Sequence, residues 1–402
     1  MTLIPVDDAL RLVLGGVERI GDTERVSLPA AHDRVLAEPV MATRDQPPFA
    51  ASAMDGYAVR SEDVEPGGPL RIVGESVAGR RFEGAVGAGE AIRIFTGAPM
   101  PEGADAVLIQ EDAARDEDVV TPAAAVERGR YVRSAGLDFV AGDRLVEPGD
   151  VLDAGRLALA AAANMAKVSV IARPRVAILA TGDELVPLGG MPGPDQIVAS
   201  SVHAVIAILQ SAGAEAIDAG IAPDRSDALD AMLDAIVERD PHLVVTLGGA
   251  SVGEHDLVAE ALERRGVSMK FERVAMRPGK PLMHGRGDAR LWLGLPGNPV
   301  SSMVCAHLFA APLVARLAGR THHRRWVSAS VASDLPENDM RQDYLRVALR
   351  GRDPIVAQLG DRQDSSQISR FAAADGLLVR PPHAPAAAAG TRHDVLALRD
   401  WD

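Results

Sequence analysis

Hydrophobic positions follow more than one period along the chain, and each change of period marks a change of predicted structure. Near the N-terminus, apolar side chains recur at helical spacing, at Val6, Ala9, Leu10, Val13, Leu14 and Val17. Asp7 and Asp8 favour a helix start there, because carboxylates stabilise the first turn of a helix. Residues 41–139 differ, since short apolar runs such as 70–73 and 91–95 are interrupted by Gly and Pro every few residues. That pattern predicts an irregular β domain.

Predicted strands and helices alternate between residues 169 and 319. The apolar runs 176–180, 243–247, 269–274 and 291–295 predict strands, and a hairpin that turns at 286–288 joins the last two. Amphipathic patterns predict helices that begin at Ser201 and Asp224, one that ends near Arg265, and one over 299–317. Such alternation predicts a doubly wound, mostly parallel sheet.

The segments on either side of this unit have other patterns. Asp153 is predicted to cap an alanine-rich helix that runs to about Met165. After Arg320, the alternation at 344–350 and the short apolar runs at 377–379 and 395–398 predict a C-terminal β domain, with a loop at 386–389. A chain of 402 residues exceeds the size that one hydrophobic core usually serves, so several domains are expected.

Charge and composition exclude several classes of function. The formal net charge is −14 and no long basic stripe offsets it, so a nucleic-acid partner is not expected. The N-terminus carries acids where a signal peptide has basic residues, and the stretch taken as most apolar, 157–172, contains Asn164 and Lys167, so no membrane span is predicted. The single cysteine, Cys305, cannot form an internal disulfide, which favours a reducing, cytoplasmic compartment.

Three glycine-bearing loops follow predicted strands of the α/β unit, where such folds bind ligands. The first contains Thr181, Gly182, Asp183 and Glu184, and by itself it is equally well explained as a polar turn. The second contains Gly248, Gly249, Ser251, Gly253 and Asp256, whose backbone N–H groups can approach a phosphate closely. Asp256 there either holds a metal or stabilises the following helix. The third contains Pro296, Gly297, Asn298 and Pro299, which also form an ordinary cap and first turn of a helix.

Two other segments carry polar groups on rigid backbone. Residues 277–281 place the cations of Arg277 and Lys280 on a turn stiffened by two prolines. Residues 47–58 mix small and polar side chains, so they are interpreted as a loop from which Asp55 projects, or as a loop that reaches the cleft of another subunit. Thr96 lies in a similarly rigid, polar segment.

Taken together, these segments resemble the molybdopterin molybdenumtransferases, the bacterial counterparts of the C-terminal enzyme domain of gephyrin. The motifs are SAMDGYAVR at 52–60, FTGAPMPEGADAV at 95–107, ILATGDEL at 178–185, GGASVGEHD at 248–256, MRPGKP at 276–281 and GLPGNPVSS at 294–302. One glycine loop would be weak support, but these segments occur together and in the family's order.

The resemblance implies a multidomain α/β plus β fold in an elongated homodimer. Its parts would be an N-terminal helix at 1–21 packed on the α/β domain, a small linking domain at 22–40 and 140–168, an inserted irregular β domain at 41–139, a doubly wound molybdopterin-binding α/β domain at 169–319, and a C-terminal β-barrel-like domain at 320–402.

The reaction that the resemblance implies takes molybdate and adenylylated molybdopterin, with Mg²⁺, and gives molybdenum cofactor and AMP. Glu184, Asp224 and Asp256 would surround the metal and the anhydride, and the loop at 248–253 would hold phosphate. Arg277 and Lys280 would bind molybdate, Asp55 and Thr96 would come from the partner chain, and Pro296 and Pro299 would shape the cleft. Asp138 and Ser365 correspond more loosely to functional positions of the family.

The chain departs from the family's usual pattern at four places. Arg277 stands where lysine is usual, Ala250 stands where valine is common, Leu137 replaces an acid beside Asp138, and Asp364 and Ser366 replace glycines around Ser365. Two alternative functions are molybdopterin adenylyltransferase, which shares the α/β domain, and a non-catalytic molybdopterin-binding scaffold. Candidate partners are a second copy of the chain, the adenylyltransferase, and the molybdoenzymes or their chaperones.

Overall fold

The computed structural model describes residues 3–249, 257–287 and 289–401. Contacts within the chain define two compact units. The first comprises Met1–Glu24, Asp33–Val35 and Ile171–Asp402, and the second comprises Arg25–His32 and Leu36–Val170.

The helices fall close to the segments with helical periodicity. They are α1 Val6–Leu14, α2 Ala154–Ala162, α3 Ser200–Ser211, α4 Ser226–Val237, α5 Leu257–Arg264, α6 Pro299–Cys305, α7 Ala311–Leu317 and α8 Ile368–Ala372. A π-helical turn, Ala306–Ala310, joins α6 to α7, so the predicted helix over 299–317 is present with one irregular turn. Helix α4 begins at Ser226, two residues after the predicted start, which leaves Asp224 in the preceding loop.

The second unit contains the first strands of the chain. They are β1 Thr23–Ser27, β2 Val40–Met41, β3 Ala51–Ser52, β4 Gly56–Val59, β5 Leu70–Ser76, β6 Glu90–Ile94, β7 Ala106–Ile109, β8 Ala113–Asp116, β9 Val119–Pro122, β10 Val132–Arg133, β11 Arg144–Val146 and β12 Lys167–Ile171. Six of them form one sheet in the order β7-β4-β6-β5-β9-β8. A separate hydrophobic core, which contains residues such as Leu36, Val146 and Leu152, packs against α2.

The interpretation of residues 47–58 as a loop was wrong for the short strand Ala51–Ser52, which pairs with β10, and for the last part of the segment. Strand β4 is completely buried and lies between β6 and β7 in the six-stranded sheet. Glycine is required at its first position, because a Cβ atom on Gly56 would lie 2.1 Å from the carbonyl oxygen of Leu108. The missing side chain of Gly56, which argued against a core strand, is therefore what lets the neighbouring backbone approach closely. Asp55 immediately precedes this strand.

The first unit contains the remaining strands. They are β13 Arg175–Thr181, β14 Leu185–Val186, β15 Ile197–Val198, β16 Glu215–Ala222, β17 Leu243–Leu247, β18 Ser268–Arg273, β19 Met276–Arg277, β20 Pro281–Gly287, β21 Arg290–Leu295, β22 Trp326–Val331, β23 Gln342–Arg350, β24 Val356–Leu359, β25 Gly376–Arg380 and β26 Arg392–Ala397.

The predicted doubly wound sheet is confirmed. Its order is β16-β13-β17-β21-β20-β18, in which the first four strands are mutually parallel and β20 is antiparallel to both of its neighbours. Helices α4 and α5 pack on alternate sheet residues such as Val244, whereas α3 packs on β13 and against α6. Because successive strand side chains point to opposite faces, this arrangement buries both faces of the central strands.

The C-terminal β domain is a closed sheet. Strands run in the order β23-β24-β22-β26-β25, and β25 pairs again with β23 to close the barrel. The short strand β19, which belongs to the α/β part of the sequence, adds to β23 in parallel. The barrel core contains Val331, Leu349, Ala357 and Val395.

Helix Pro299–Leu317 corrects the expectation about the most apolar segment. Its mean hydropathy of 1.5 makes it, and not 157–172, the helix in the described part of the chain that is long and apolar enough to cross a membrane. However, 89% of the most apolar 18-residue stretch of this helix is buried inside the protein. This is the burial expected of a core helix in an α/β domain, whose apolar side chains pack against other elements.

The predicted cap of α2 provides a test of local stability. The carboxylate of Asp153 accepts a hydrogen bond from the backbone N–H of Arg156 at 2.9 Å. Asp153→Ala should lower the free energy of unfolding by about 1 kcal/mol, because the first turn loses its acceptor. Urea unfolding measures this change. Asp153→Ser, which keeps an oxygen acceptor, should remain close to wild type, and equal losses in both variants would show that the cap contributes nothing.

Candidate active site

Four parallel strands of the α/β sheet end side by side, and their following loops form the candidate site. Thr181 of β13 is in register with Ala222 of β16, and Leu247 of β17 is in register with Leu295 of β21. Parallel strands present their carboxyl ends at one edge of the sheet, which brings together the three predicted glycine loops. The loop that contains Asp224 joins them at the same edge.

Glycine is required where these loops approach one another. Gly248 has a φ of +95°, and a Cβ atom at that position would lie 2.7 Å from the carbonyl oxygen of Thr181. A Cβ atom on Gly297 would lie 3.4 Å from the Cα of Gly248, so the second and third loops are in contact. The N–H of Gly248 donates to the carbonyl of Leu295 at 3.1 Å, which fixes the start of the second loop.

A cavity of about 730 Å³ opens between the loops. Its lining includes most of the predicted site residues of the α/β domain, namely Thr181, Gly182, Glu184, Asp224, Gly248, Gly249, Pro296, Gly297, Asn298 and Pro299. Two carboxylate side chains and several glycine backbones therefore line one cavity. That volume is within the range typical of sites for small molecules and cofactors.

The acids of the first loop have different positions. The Glu184 carboxylate lies over Gly182, where a Cβ atom would be 2.4 Å from a carboxylate oxygen. Asp183 instead accepts a hydrogen bond from the backbone N–H of Asp224 at 3.1 Å. Asp183, predicted to bind the cofactor, thus links the first loop to the segment that carries Asp224. This hydrogen bond connects the backbone of Asp224 to the loop that carries Glu184, so the two acids of the cavity are held near each other.

The third loop leads into helix α6 and carries Asn298, whose side chain does not cap that helix in the described structure. Asn298 occupies the cap position of α6 as predicted, but within the described structure its side chain makes no capping hydrogen bond. The amide is exposed and lies on the cavity wall. The backbone N–H of Val300 is satisfied by the carbonyl of Ser365 at 3.1 Å. Ser365 therefore supports the cavity wall through its backbone.

The two predicted cations do not share one environment. Arg277 donates from Nε to Asp343 at 2.8 Å, and this hydrogen bond raises the pKa of the guanidinium above its usual value. Lys280 is half-buried and forms no ion pair with any residue that the structure describes. Neither side chain is part of the described cavity lining, although the next residue, Pro281, is.

Asp55 and Thr96 are brought together within the second unit. The carboxylate of Asp55 accepts hydrogen bonds from the backbone N–H of Thr96 at 2.7 Å and from its hydroxyl at 2.9 Å. These bonds lower the pKa of Asp55, with a smaller contribution from the charge of Arg93. The guanidinium of Arg93 also donates to the carbonyl of Gly56 at 3.1 Å and lies over the ring of Tyr57. Asp55 is thus held as a carboxylate next to a hydroxyl.

Asp138 lies elsewhere in the second unit. It is exposed, and its backbone N–H donates to the carbonyl of Gln46 at 2.9 Å.

Several cavity residues were not anticipated from the sequence. The cavity lining also contains Leu185, Leu257, Pro281 and the segment 197–202. Ile197 is 57% exposed, an unusual position for a large apolar side chain beside a polar loop. The glycine- and proline-rich stretch that precedes it was the available signal, since such stretches often border binding sites.

Three predicted site residues, Ser251, Gly253 and Asp256, lie outside the described residues. No group of three potential metal ligands occurs among the residues that are described. Glu184 and Asp224 nevertheless supply carboxylate oxygens to the same cavity, and Mg²⁺ commonly takes one or two protein carboxylates together with water and phosphate oxygens. The residues present therefore fit a magnesium ion.

Comparison with protein-family models covers most of the chain. Residues 4–164 match the MoeA N-terminal region (domains I and II), residues 177–316 match a probable molybdopterin binding domain, and residues 328–398 match the MoeA C-terminal region (domain IV). The first match covers most of the second unit, the second match covers the α/β domain, and the third match covers the C-terminal barrel.

Individual relatives and structures give the same result. The molybdopterin molybdenumtransferase of Nostoc sp. is 37% identical, over 90% of this chain and 85% of its own length. The molybdopterin molybdenumtransferase of Haemophilus influenzae is 34% identical, over 86% of this chain and 85% of its own length. The crystal structure of the molybdopterin biosynthesis MoeA protein from Pyrococcus horikoshii has a TM-score of 0.86 at 30% identity and covers 100% of both chains. The chain therefore belongs to the molybdopterin molybdenumtransferase family, whose members are transferases of molybdenum cofactor biosynthesis.

Proposed function

We propose that this enzyme uses molybdate and adenylylated molybdopterin, places molybdenum on the two dithiolene sulfurs, and releases AMP as the phosphoanhydride is cleaved. The observation that carries the proposal is the cavity at the strand ends, where Glu184 and Asp224 face the glycine backbones of the second and third loops. Acids alone would repel such substrates. Acids beside an anion-binding backbone suit a phosphoanhydride that is bound together with a cation.

The glycine loops supply the anion-binding part of the site. Gly248 and Gly249 have positive φ values and carry no side chains, so a phosphate can approach their backbone closely. A local arrangement of this kind is needed because the chain as a whole has a net charge of −14. Phosphoryl cleavage depends chiefly on positioning and on stabilising charge, and these groups provide both.

Glu184, Asp224 and Asp256 are the residues that we propose hold Mg²⁺. A bound magnesium ion would neutralise charge on the phosphate oxygens. Glu184 and Asp224 orient the anhydride from the cavity wall, and Asp183 fixes the backbone of Asp224 through their 3.1 Å hydrogen bond. The apolar wall formed by Leu185, Ile197 and Leu257 excludes water from one side of the substrate.

The two cavity acids provide a direct test. Glu184→Gln or Asp224→Asn should each reduce molybdate-dependent AMP release about tenfold to a hundredfold, as expected when a charge-assisted contact worth about 1.5–3 kcal/mol is lost. Asp227→Asn is the matched control, because Asp227 is exposed on the next helix and paired with Arg225. AMP release is measured without added ATP. Full activity in both cavity variants would contradict the proposed role of Glu184 and Asp224.

Lys280 is proposed to bind molybdate. Lys280→Ala should raise the molybdate concentration for half-maximal AMP release by about tenfold to a hundredfold, because a dianion loses a charge-assisted contact. A molybdate titration at fixed adenylylated pterin measures the change. Lys270→Ala, an exposed lysine of β18 in the same unit, should titrate like wild type. If Lys280→Ala instead weakens only pterin binding, the cation serves the phosphates.

We also propose a cytoplasmic homodimer in which Asp55 and Thr96 complete the site of the partner chain. The adenylyltransferase and the molybdoenzymes or their chaperones are proposed as further partners. The Asp55–Thr96 pair is held rigidly yet lies in a unit separate from the glycine loops, which is the arrangement that a shared site requires.

Subunit mixing tests the shared site. Asp55→Asn and Glu184→Gln should each keep about a tenth of wild-type activity or less alone, whereas an equal mixture that is unfolded and refolded together should rise to about one quarter of wild-type activity, since half of the randomly formed dimers contain one intact site. Each variant refolded alone is the control. A dimer whose mixture stays inactive would place Asp55 and Glu184 in the same chain's site, and a fully active monomer of 42.2 kDa would exclude sharing altogether.

A further inference from the structure

A short connection joins the segment that contains Lys280 to the C-terminal barrel. Strand β19 pairs with β23, with Met276 opposite Gln342 and Arg277 opposite Asp343. The N–H of Gln342 donates to the carbonyl of Ala275 at 2.9 Å. The backbone just before the Arg-Pro-Gly-Lys turn is therefore part of the barrel sheet.

The side chain of Arg277 adds a second connection at the same point. Its Nε donates to one oxygen of Asp343 at 2.8 Å, and its Nη2 donates to the other oxygen of that carboxylate. Nη2 also donates to the side-chain oxygen of Asn338 at 3.3 Å, and Nη1 lies 3.4 Å from a carboxylate oxygen of Asp339. Every nitrogen of the guanidinium thus has a partner on the barrel.

These partners are themselves fixed. Asp343 is only 4% exposed, and Asn338 is 7% exposed and donates to the carbonyls of Arg341 and Pro381. Moving Arg277 away from Asp343 would leave a buried carboxylate without its cation, which is strongly unfavourable, so the half-exposed guanidinium is fixed in place. A bidentate pair of this kind also needs the guanidinium fork, because the ammonium group of lysine offers only a point charge.

The other side of the turn is held by packing. Gly279 has a φ of +111°, and a Cβ atom there would lie 2.5 Å from Sγ of Cys305, which is completely buried, and 3.2 Å from Sδ of Met276. The carbonyl of Lys280 accepts a hydrogen bond from the N–H of Val274 at 3.0 Å. The turn is therefore confined between the barrel and the core beneath it.

We infer that Arg277 and Asp343 are positioning residues, which fix the turn so that Lys280, beside the cavity-lining Pro281, is the cation of this turn that meets the anionic substrate. This replaces the role in molybdate binding that the resemblance implied for Arg277. The effect on turnover rests on the proposed function, whereas the effect on the turn itself does not. The C-terminal barrel thereby acquires a role in the reaction without contacting the substrate.

The test compares Arg277→Lys and Asp343→Asn, both of which remove the bidentate pair, in the full-length enzyme. A molybdate titration of AMP release should show kcat lowered about tenfold or more in both variants, because a small displacement of a binding group costs rate. The half-maximal molybdate concentration should rise to a similar extent in both variants, because both displace Lys280. Asp343→Glu, which keeps the carboxylate, should recover part of the rate. Asp400→Asn, which breaks the ion pair with Arg325 elsewhere on the barrel, should change neither quantity.

Hydrogen exchange supplies a readout that needs no activity. The amides of Val274 and Gln342 should exchange faster in Arg277→Lys and Asp343→Asn than in wild type or Lys280→Ala, because their acceptors lie on the tethered segment. Unchanged exchange in both pair variants would overturn the inference. So would a half-maximal molybdate concentration that rises in Arg277→Lys but falls or stays unchanged in Asp343→Asn, since that difference would show that the Arg277 charge itself binds molybdate. If wild type releases no AMP, the proposed reaction fails and the exchange result alone decides the inference.

Discussion

The close packing of backbone at the carboxyl ends of the parallel strands is the constraint on which the candidate site depends. Thr181, Gly248 and Gly297 come so near to one another that a Cβ atom on Gly248 would meet the Thr181 carbonyl at 2.7 Å. Because Gly248 and Gly297 carry no side chains, their peptide groups line the cavity at this junction. Peptide N–H groups bind anions without adding a mobile charge, so the acids of the neighbouring loops can remain available for a cation.

The C-terminal barrel supports this arrangement at two places in the same unit. The carbonyl of Ser365 accepts the hydrogen bond of Val300 at the start of α6, and Asp343 holds Arg277 at the start of the Lys280 turn. Buried Arg346 in turn holds the chain near Ser365, since it donates to the carbonyl of Asp364 at 2.8 Å. The barrel therefore fixes two walls of the cavity through backbone and ion-pair contacts. The replacement of glycines around Ser365 leaves this backbone contact in place.

Local sequence patterns predicted most of the α/β domain because its strands are short apolar runs and its helices are amphipathic. The strand Leu243–Leu247 was predicted correctly because it depends on neighbouring residues alone. The same holds in the second unit for the cap that Asp153 provides. The buried strand at Gly56–Val59 was missed because the contact that requires glycine at position 56 is made by Leu108. That residue is 52 positions away in the chain, so the local pattern does not reveal it.

The candidate site could likewise be predicted only in part from the sequence. The glycine loops and their acids could be placed together, because parallel strands end at one edge of the sheet. The partner of Arg277 could not be found this way, since Asp343 lies on a strand of another domain and nothing near Arg277 in the sequence indicates it. The apolar wall at 197–202 was also missed, because its residues form part of a site only once the fold has brought them to the cavity.

The most direct test of the central claim is a crystal structure of the protein with AMP and magnesium bound. The site described above predicts the phosphate of AMP within hydrogen-bond distance of the backbone of Gly249, with Glu184 and Asp224 on the magnesium side. AMP bound in the separate cavity of about 710 Å³ lined by Arg350, Arg352 and Trp401 would contradict it. In that case the strand-end loops would not be the place where the phosphoanhydride is cleaved.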